Sequence, residues 1–193
     1  ACNYACTYTW GVWIINEFIY YSYASGIGAS IISGGLLYQP FDSFAGEVGH
    51  MSLSYNGPKC KCGNNGCLEV FCSASKLTQE INERLSANFS FLDCMKDFGN
   101  PKTYDIYETQ INFMAVSIIS LVNAFNPSYI IIGDRGSQLP QQLIEKLIQK
   151  VNNTIFATKH KYVTIIKSRF GRDSALFGSA AIVADRIFKP NSW

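Results

Sequence analysis

Two kinds of hydrophobic pattern run along this chain: short blocks of aromatic and β-branched residues, and longer stretches in which apolar positions recur every three or four residues. The block Phe18-Ile19-Tyr20-Tyr21-Ser22-Tyr23, the turn Ser25-Gly26-Ile27-Gly28 and a second block over residues 29–32, closed by Ser33-Gly34-Gly35, predict a β-hairpin. Gly57, Gly63 and Gly66 with Pro58 then mark an irregular, turn-rich segment. A helix is predicted over 75–85, with Ser75 as its cap and Leu77, Ile81 and Leu85 four apart on one face. After a polar break at Gly99-Asn100-Pro101, residues 105–125 read as a long, mostly buried helix. It stops before Asn126-Pro127, because the residue preceding a proline avoids helical backbone angles. Tyr129-Ile130-Ile131-Ile132-Gly133 predicts a short strand covered on both faces, as in a parallel sheet. Ser137 is placed as the cap of the next helix, with Pro140 in its first turn and Leu139, Leu143, Leu147 and Val151 facing inward. Residues 162–166 predict another strand, and a last helix from near Asp173 carries the small residues Ala175, Gly178, Ala180, Ala181 and Ala184. Strands and helices alternate through the second half, so the class is α/β with a mixed sheet.

Composition narrows this picture. A length of 193 residues suffices for one domain with a full core. Only 16% of residues are charged and the net charge is +2, which lacks the dense basic footprint of a nucleic-acid binder. The most apolar stretch, 111–125, is interrupted by Asn112, Ser117, Ser120 and Asn123 and falls short of the roughly 20 residues a bilayer requires, so no membrane partner is expected. No secretory leader is read at the start, and an odd count of seven cysteines suits a reducing, cytoplasmic setting better than a disulfide framework. The chain opens at Ala1-Cys2-Asn3 without a methionine, so it reads as a piece of a longer protein.

Three cysteines change the picture most. Cys60, Cys62 and Cys67 sit in one glycine-rich loop, and His50 lies ten residues ahead of Cys60. Three thiolates and one imidazole make a closed tetrahedral shell suited to zinc, and soft sulfur ligands disfavour magnesium or calcium. Four protein ligands leave no open position for an activated water, so the expected role is structural. The alternative of ordinary buried thiols is disfavoured because Gly63 and Gly66 let the loop fold back on itself. Cys2, Cys6, Cys72 and Cys94 lack such spacing and read as small buried hydrophobes.

The run Gly46-Glu47-Val48-Gly49-His50-Met51, followed by Gly57-Pro58-Lys59-Cys60-Lys61-Cys62-Gly63-Asn64-Asn65-Gly66-Cys67-Leu68-Glu69, closely resembles the signature of the ROK family of repressors, open reading frames and kinases. Ser25-Gly26-Ile27-Gly28 resembles the family's second phosphate turn. Phe125-Asn126-Pro127 with Ile130-Ile131-Ile132-Gly133 resembles its helix leading into the adenosine strand. The resemblance covers nearly the whole chain. It implies an actin-like ATPase fold of the ribonuclease H type, with residues 1–193 forming mainly the C-terminal lobe and residues 46–69 the zinc-stapled loop. The N-terminal lobe and any DNA-binding helix-turn-helix would lie outside this chain.

The resemblance also implies that Glu47, His50 and Glu69 hydrogen-bond the hydroxyls of a sugar. His50 would bind zinc through one ring nitrogen and offer the other to the sugar. Ser25, Gly26 and Gly28 would form a vestigial phosphate turn. Kinase chemistry requires a carboxylate base and a cradle for the nucleotide phosphates. If Asn3 matches the last residue of the family's Asn-Asp-x-Asn run, Ala1 falls on the catalytic Asp, so no catalytic residue is assigned. Ala24 replaces the first glycine of the phosphate turn, and Gly133-Asp134-Arg135-Gly136 replaces a glycine triplet, so that Asp134 and Arg135 would crowd or charge an adenine-side pocket. These departures, with Ser168-Arg169-Phe170-Gly171 and Ala184-Asp185-Arg186-Ile187-Phe188, resemble the xylose-repressor-like branch. The expectation is therefore the sugar-sensing, self-associating portion of a transcriptional regulator, forming a homodimer or higher homo-oligomer. It would take a sugar or sugar phosphate as effector, carry structural zinc, not need ATP, and contact DNA only through a missing N-terminal domain. The rival expectation is a fragment of an ATP-dependent sugar kinase acting on a hexose or amino sugar.

Overall fold

Strand β1 (Phe18–Tyr23) lies in the middle of a five-stranded sheet because both its edges and both its faces find partners. The computed structural model describes residues 16–38, 45–156 and 161–173, together with Leu176 and Ala180. The sheet order is β3-β2-β1-β4-β5, with β2 at Ile27–Ser33, β3 at Leu36–Leu37, β4 at Tyr129–Asp134 and β5 at Thr164–Lys167. β1 pairs antiparallel with β2, as the hairpin pattern predicts, and parallel with β4, which in turn pairs parallel with β5. The strand predicted at 162–166 begins later, since Tyr162 is exposed and the ladder starts at Thr164.

Alternation divides the side chains between two layers. Ile19, Tyr21 and Tyr23 of β1, Ile130 and Ile132 of β4 and Ile165 of β5 join the main core. Phe18, Tyr20, Ile32 and Ile131 form a second cluster. Ile130, Ile131 and Ile132 are all buried, two in one cluster and one in the other, as expected for a strand covered on both sides.

Among the described residues, five helices with defined bounds cover the main face: α1 (Leu68–Phe71), α2 (Ala74–Leu85), α3 (Phe91–Lys96), α4 (Tyr104–Phe125) and α5 (Gln141–Asn152). Helix α4 ends where Asn126 adopts a left-handed conformation and donates its N–H to Val122, immediately before Pro127. Two tyrosines of β1 reach it through their hydroxyls. Tyr21 Oη lies 2.8 Å from Ser117 Oγ, whose own proton goes to the Met114 carbonyl, and Tyr23 Oη donates to Gln110 Oε1 at 3.1 Å. Burial holds both phenols protonated well above their ordinary range.

Two helix starts differ from the sequence pattern, and α3 has no counterpart in it. The cap of α2 is Ser73, whose side chain accepts from Lys76 N–H, whereas Ser75 lies inside the helix and is exposed. Ser73→Ala should therefore lower unfolding free energy by about 1 kcal/mol in a urea titration, and Ser75→Ala should leave it nearly unchanged. Ser137 does not cap α5: its hydroxyl donates to the Asp134 carbonyl from within a 3-10 turn, Arg135–Gln138, and α5 begins after Pro140. Helix α3 carries a reciprocal capping box between Ser90 and Asp93, and it buries Phe91 and Cys94. Of the last predicted helix, the 3-10 turn Gly171–Asp173 at its start and the helical residues Leu176 and Ala180 are described; the rest lies outside the described residues, as do Ala1, Cys2, Asn3 and Cys6.

Candidate functional site

The segment that follows β3 returns to the sheet through Gly46. Its carbonyl accepts from Ala29 N–H of β2 at 2.7 Å and from Val48 N–H at 2.8 Å, and its φ is +88°. A side chain there would begin 1.9 Å from the Ala29 carbonyl oxygen. This contact launches a 3-10 turn, Val48–His50, that buries Val48 and Gly49 and leaves Glu47 exposed at its start. Beyond it, Leu68 N–H donates to Met51, Ser52 bridges Cys67, and Leu53 N–H donates to Gly66, so the chain after His50 runs back alongside Cys67.

Between these strands the loop folds into a knuckle. Lys59 pairs with Asn65, Cys60 N–H donates to Asn64, and Gly63 N–H donates to Cys60. Gly66, at φ +64°, passes so close to Ser54 that a side chain would begin 1.8 Å from its carbonyl oxygen. The result brings the ligand atoms of His50, Cys60, Cys62 and Cys67 within 4.8 Å of one another. His50 Nδ1 lies 3.6 Å from Cys60 Sγ, and Cys62 Sγ lies 3.6 Å from Cys67 Sγ. In a tetrahedral zinc shell with bonds of about 2.0 Å to nitrogen and 2.3 Å to sulfur, neighbouring ligand atoms stand roughly 3.5–3.8 Å apart. The donor set suits zinc, and these two separations match such a shell. The sulfurs also differ among themselves. Burial, reinforced by the neighbouring Cys62 and Cys60 sulfurs, pushes the Cys67 thiol up to about 12, while a hydrogen bond to the Asn64 backbone lowers that of exposed Cys62. Cys72 and Cys94 lie apart from this cluster and are buried, as read from their spacing.

Glu69 follows directly on the knuckle, in the first turn of α1. Its Oε2 accepts the Ile27 N–H at 3.2 Å. The same oxygen lies 2.5 Å from where a side chain on Gly26 would begin and 3.2 Å from the equivalent point on Gly49. Gly26 and Gly49 thus leave the room that the carboxylate occupies. This places the Ser25-Gly26 turn, the residue preceding His50, and Glu69 at one rim. Ser25 is exposed there, and Gly28 makes only an ordinary contact with Gly46. The contribution of Gly49 was not visible in the sequence beyond its place beside His50.

At the same end of the sheet, paired with Tyr23 beside the hairpin turn, Asp134 closes β4 with φ +53° and ψ −131°, angles at which L residues are strained. Ser22 Oγ donates to its carboxylate, and the Arg135 guanidinium lies 5.7 Å above the Phe91 ring. The two residues read from sequence as crowding this edge are thus tied to β1 and to α3. Ser22 and Phe91 carry no sequence signal for that task.

The profile of the ROK family matches residues 4–186. The chain belongs to the ROK family. Among curated ROK relatives, the xylose repressor of Bacillus subtilis is 26% identical over 177 residues, covering 89% of this chain and 45% of the repressor. The glucokinase of Thermotoga maritima is 27% identical over 180 residues, covering 84% of this chain and 56% of the kinase. The crystal structure of the ROK hexokinase from Thermus thermophilus superposes with a TM-score of 0.80 at 22% identity, over 95% of this chain and 63% of that one. The chain spans about half the length of the curated relatives it matches. Its mixed sheet with helices is the actin-like architecture of the ROK sugar kinases. Among the described residues no helix is long and apolar enough to cross a membrane.

Proposed function

We propose that this chain is the sugar-binding, self-associating portion of a ROK-family transcriptional regulator of carbohydrate metabolism. In this reading it forms mainly the C-terminal lobe, and DNA contact belongs to sequence beyond these 193 residues. The observation that carries the sugar site is Glu69 set against Gly49, the residue directly before His50. Glu69 is anchored through Oε2 on Ile27 N–H, and a carboxylate with about four lone-pair sites retains capacity to accept from adjacent hydroxyls. His50 turns Nδ1 toward Cys60, so Nε2 is the nitrogen left to face a ligand. Glu47, exposed three residues earlier, completes the polar set. His50, Cys60, Cys62 and Cys67 would hold zinc, which when bound compensates the thiolate charge and fixes the ring tautomer of His50. The regulator reading is favoured over the kinase reading by the repressor relatives and by the side chains of Asp134 and Arg135 at the C-terminal ends of β1 and β4.

The test is a calorimetric titration of the complete protein with D-xylose, D-glucose and N-acetylmannosamine, with ATP consumption followed in parallel. One of these sugars should bind without stimulating ATP turnover, and Glu69→Gln should weaken it by about 30-fold, as expected when one hydrogen bond of a charged group is lost. Binding of none of them would sink the proposal. Sugar-dependent ATP consumption would replace it with the kinase.

A further inference from the structure

A polar side chain inside an apolar helix is costly unless each of its groups is paired. Helix α4 nevertheless places Gln110, 2% exposed, on its inward face between Tyr107 and Met114. Both polar atoms of the amide are engaged. Its Oε1 accepts from Tyr23 Oη and from Ser73 N–H, both at 3.1 Å, and its Nε2 donates to the Phe71 carbonyl at 3.2 Å. The backbone carbonyl of Gln110 also accepts from the Cys72 thiol.

These partners lie on two pieces of chain that bear on Glu69. Tyr23 is the last residue of β1, and Phe71 and Ser73 flank the joint between α1 and α2. Helix ends leave such carbonyl and amide groups without partners inside the helix. Helix α1 has only four residues, too few to hold an orientation of its own. Its C-terminal end is tied through Gln110 to β1, while Glu69 in its first turn reaches the Ile27 N–H just past the hairpin turn. Ala74 N–H grips the same turn by donating to the Ala24 carbonyl at 2.8 Å. A circuit therefore closes: hairpin, Tyr23, Gln110, Phe71, the one turn of α1, Glu69, and Ile27 back in the hairpin.

We infer that Gln110 is the positioning residue that aims the Glu69 carboxylate at its ligand, by clamping the C-terminal end of α1 to the end of β1. The ligand in this statement rests on the sugar reading given above; the clamp itself does not. Gln110→Met keeps the length of the side chain and removes all three amide hydrogen bonds. Tyr23→Phe removes one of them and should leave the fold intact. Leu147→Ala, in the fully buried face of α5, supplies a destabilised control away from the circuit.

In hydrogen–deuterium exchange of the complete protein, Gln110→Met should raise exchange over residues 24–30 and 68–73 about tenfold relative to residues 129–134. It should also raise the Kd of whichever sugar in the titration binds by roughly tenfold or more, with Tyr23→Phe giving a smaller change of the same kind. Leu147→Ala should lower the thermal midpoint without changing either ratio. If Gln110→Met and Tyr23→Phe lose protection evenly along the chain and weaken sugar no more than Leu147→Ala, Gln110 only fills and satisfies the core and the inference is overturned. Failure of the unaltered protein to bind any of the sugars overturns the sugar reading instead, and the exchange pattern still decides the clamp.

Discussion

Cys67→Ser is expected to abolish zinc binding, lower the thermal midpoint by about 10 °C or more, and open residues 50–69 to proteolysis. Cys67 is fully buried and precedes the first turn of α1, so it joins the knuckle to the helix that carries Glu69. Its thiol, pushed up to about 12 by burial and by the other sulfurs, ionises only if a cation compensates the charge. A serine hydroxyl is far harder to deprotonate and is a poor partner for zinc among soft ligands. The substitution therefore removes a ligand and leaves a buried hydroxyl facing sulfurs. Cys72→Ser is the matched control: Cys72 is equally buried but stands outside the cluster, so its replacement should cost about 1–2 kcal/mol with zinc content unchanged. Metal analysis of both proteins checks the pair. One zinc per chain retained in Cys67→Ser would refute the ligand assignment.

Gly46→Ala is expected to destabilise the protein by about 3 kcal/mol, the sum of a forbidden backbone conformation and an overpacked contact. The added methyl would have to begin 1.9 Å from the Ala29 carbonyl oxygen, on a backbone held at φ +88°. That oxygen belongs to a strand locked between two neighbours and cannot retreat, so the loop must lift. Lifting it breaks the Ala29 N–H to Gly46 bond and displaces Val48–His50, which carries His50 toward the cysteines. Chemical denaturation should record the loss. Zinc affinity should fall in parallel, although no metal ligand is altered. Gly34→Ala is the comparison, since Gly34 also has positive φ but nothing within 4 Å of its missing side chain, and it should cost less than half as much.

The central strands were legible because their burial is nearly complete, and α4 because its buried residues recur at three- and four-residue spacing along one face, so the apolar pattern carries the signal by itself. Helix starts were less so. Ser73-Ala74-Ser75 offers two capping serines two residues apart, and only the reach of Ser73 to Lys76 N–H selects between them. Ser137 preceded Pro140 at a plausible distance, but the carbonyl of Asp134 captures its proton. The box of Ser90 and Asp93 is a local Ser-x-x-Asp pattern, but a helix of 6 residues is too short to show an apolar repeat beside it. In the candidate site, the His50, Cys60, Cys62 and Cys67 set could be read from donor chemistry and glycine placement within one loop. The contacts of Glu69 with Ile27, Gly26 and Gly49 could not, because they arise only when the hairpin and the loop meet across the sheet. Gln110 was visible merely as a polar interruption in an apolar helix.

The neighbours of β1 also say something about how the chain is made. Its antiparallel partner β2 follows at once, but its parallel partner β4 begins only at Tyr129, after four of the helices. During synthesis the aromatic strand Phe-Ile-Tyr-Tyr-Ser-Tyr therefore leaves the ribosome with one edge paired and the other open until β4 emerges. A segment so rich in β-forming side chains is a ready template for pairing with another nascent copy. Ribosomal pausing between the hairpin and β4, or a shortage of chaperones, should consequently reduce the soluble yield of this protein more than any change confined to α5 or β5, which join a sheet whose central edge is already covered.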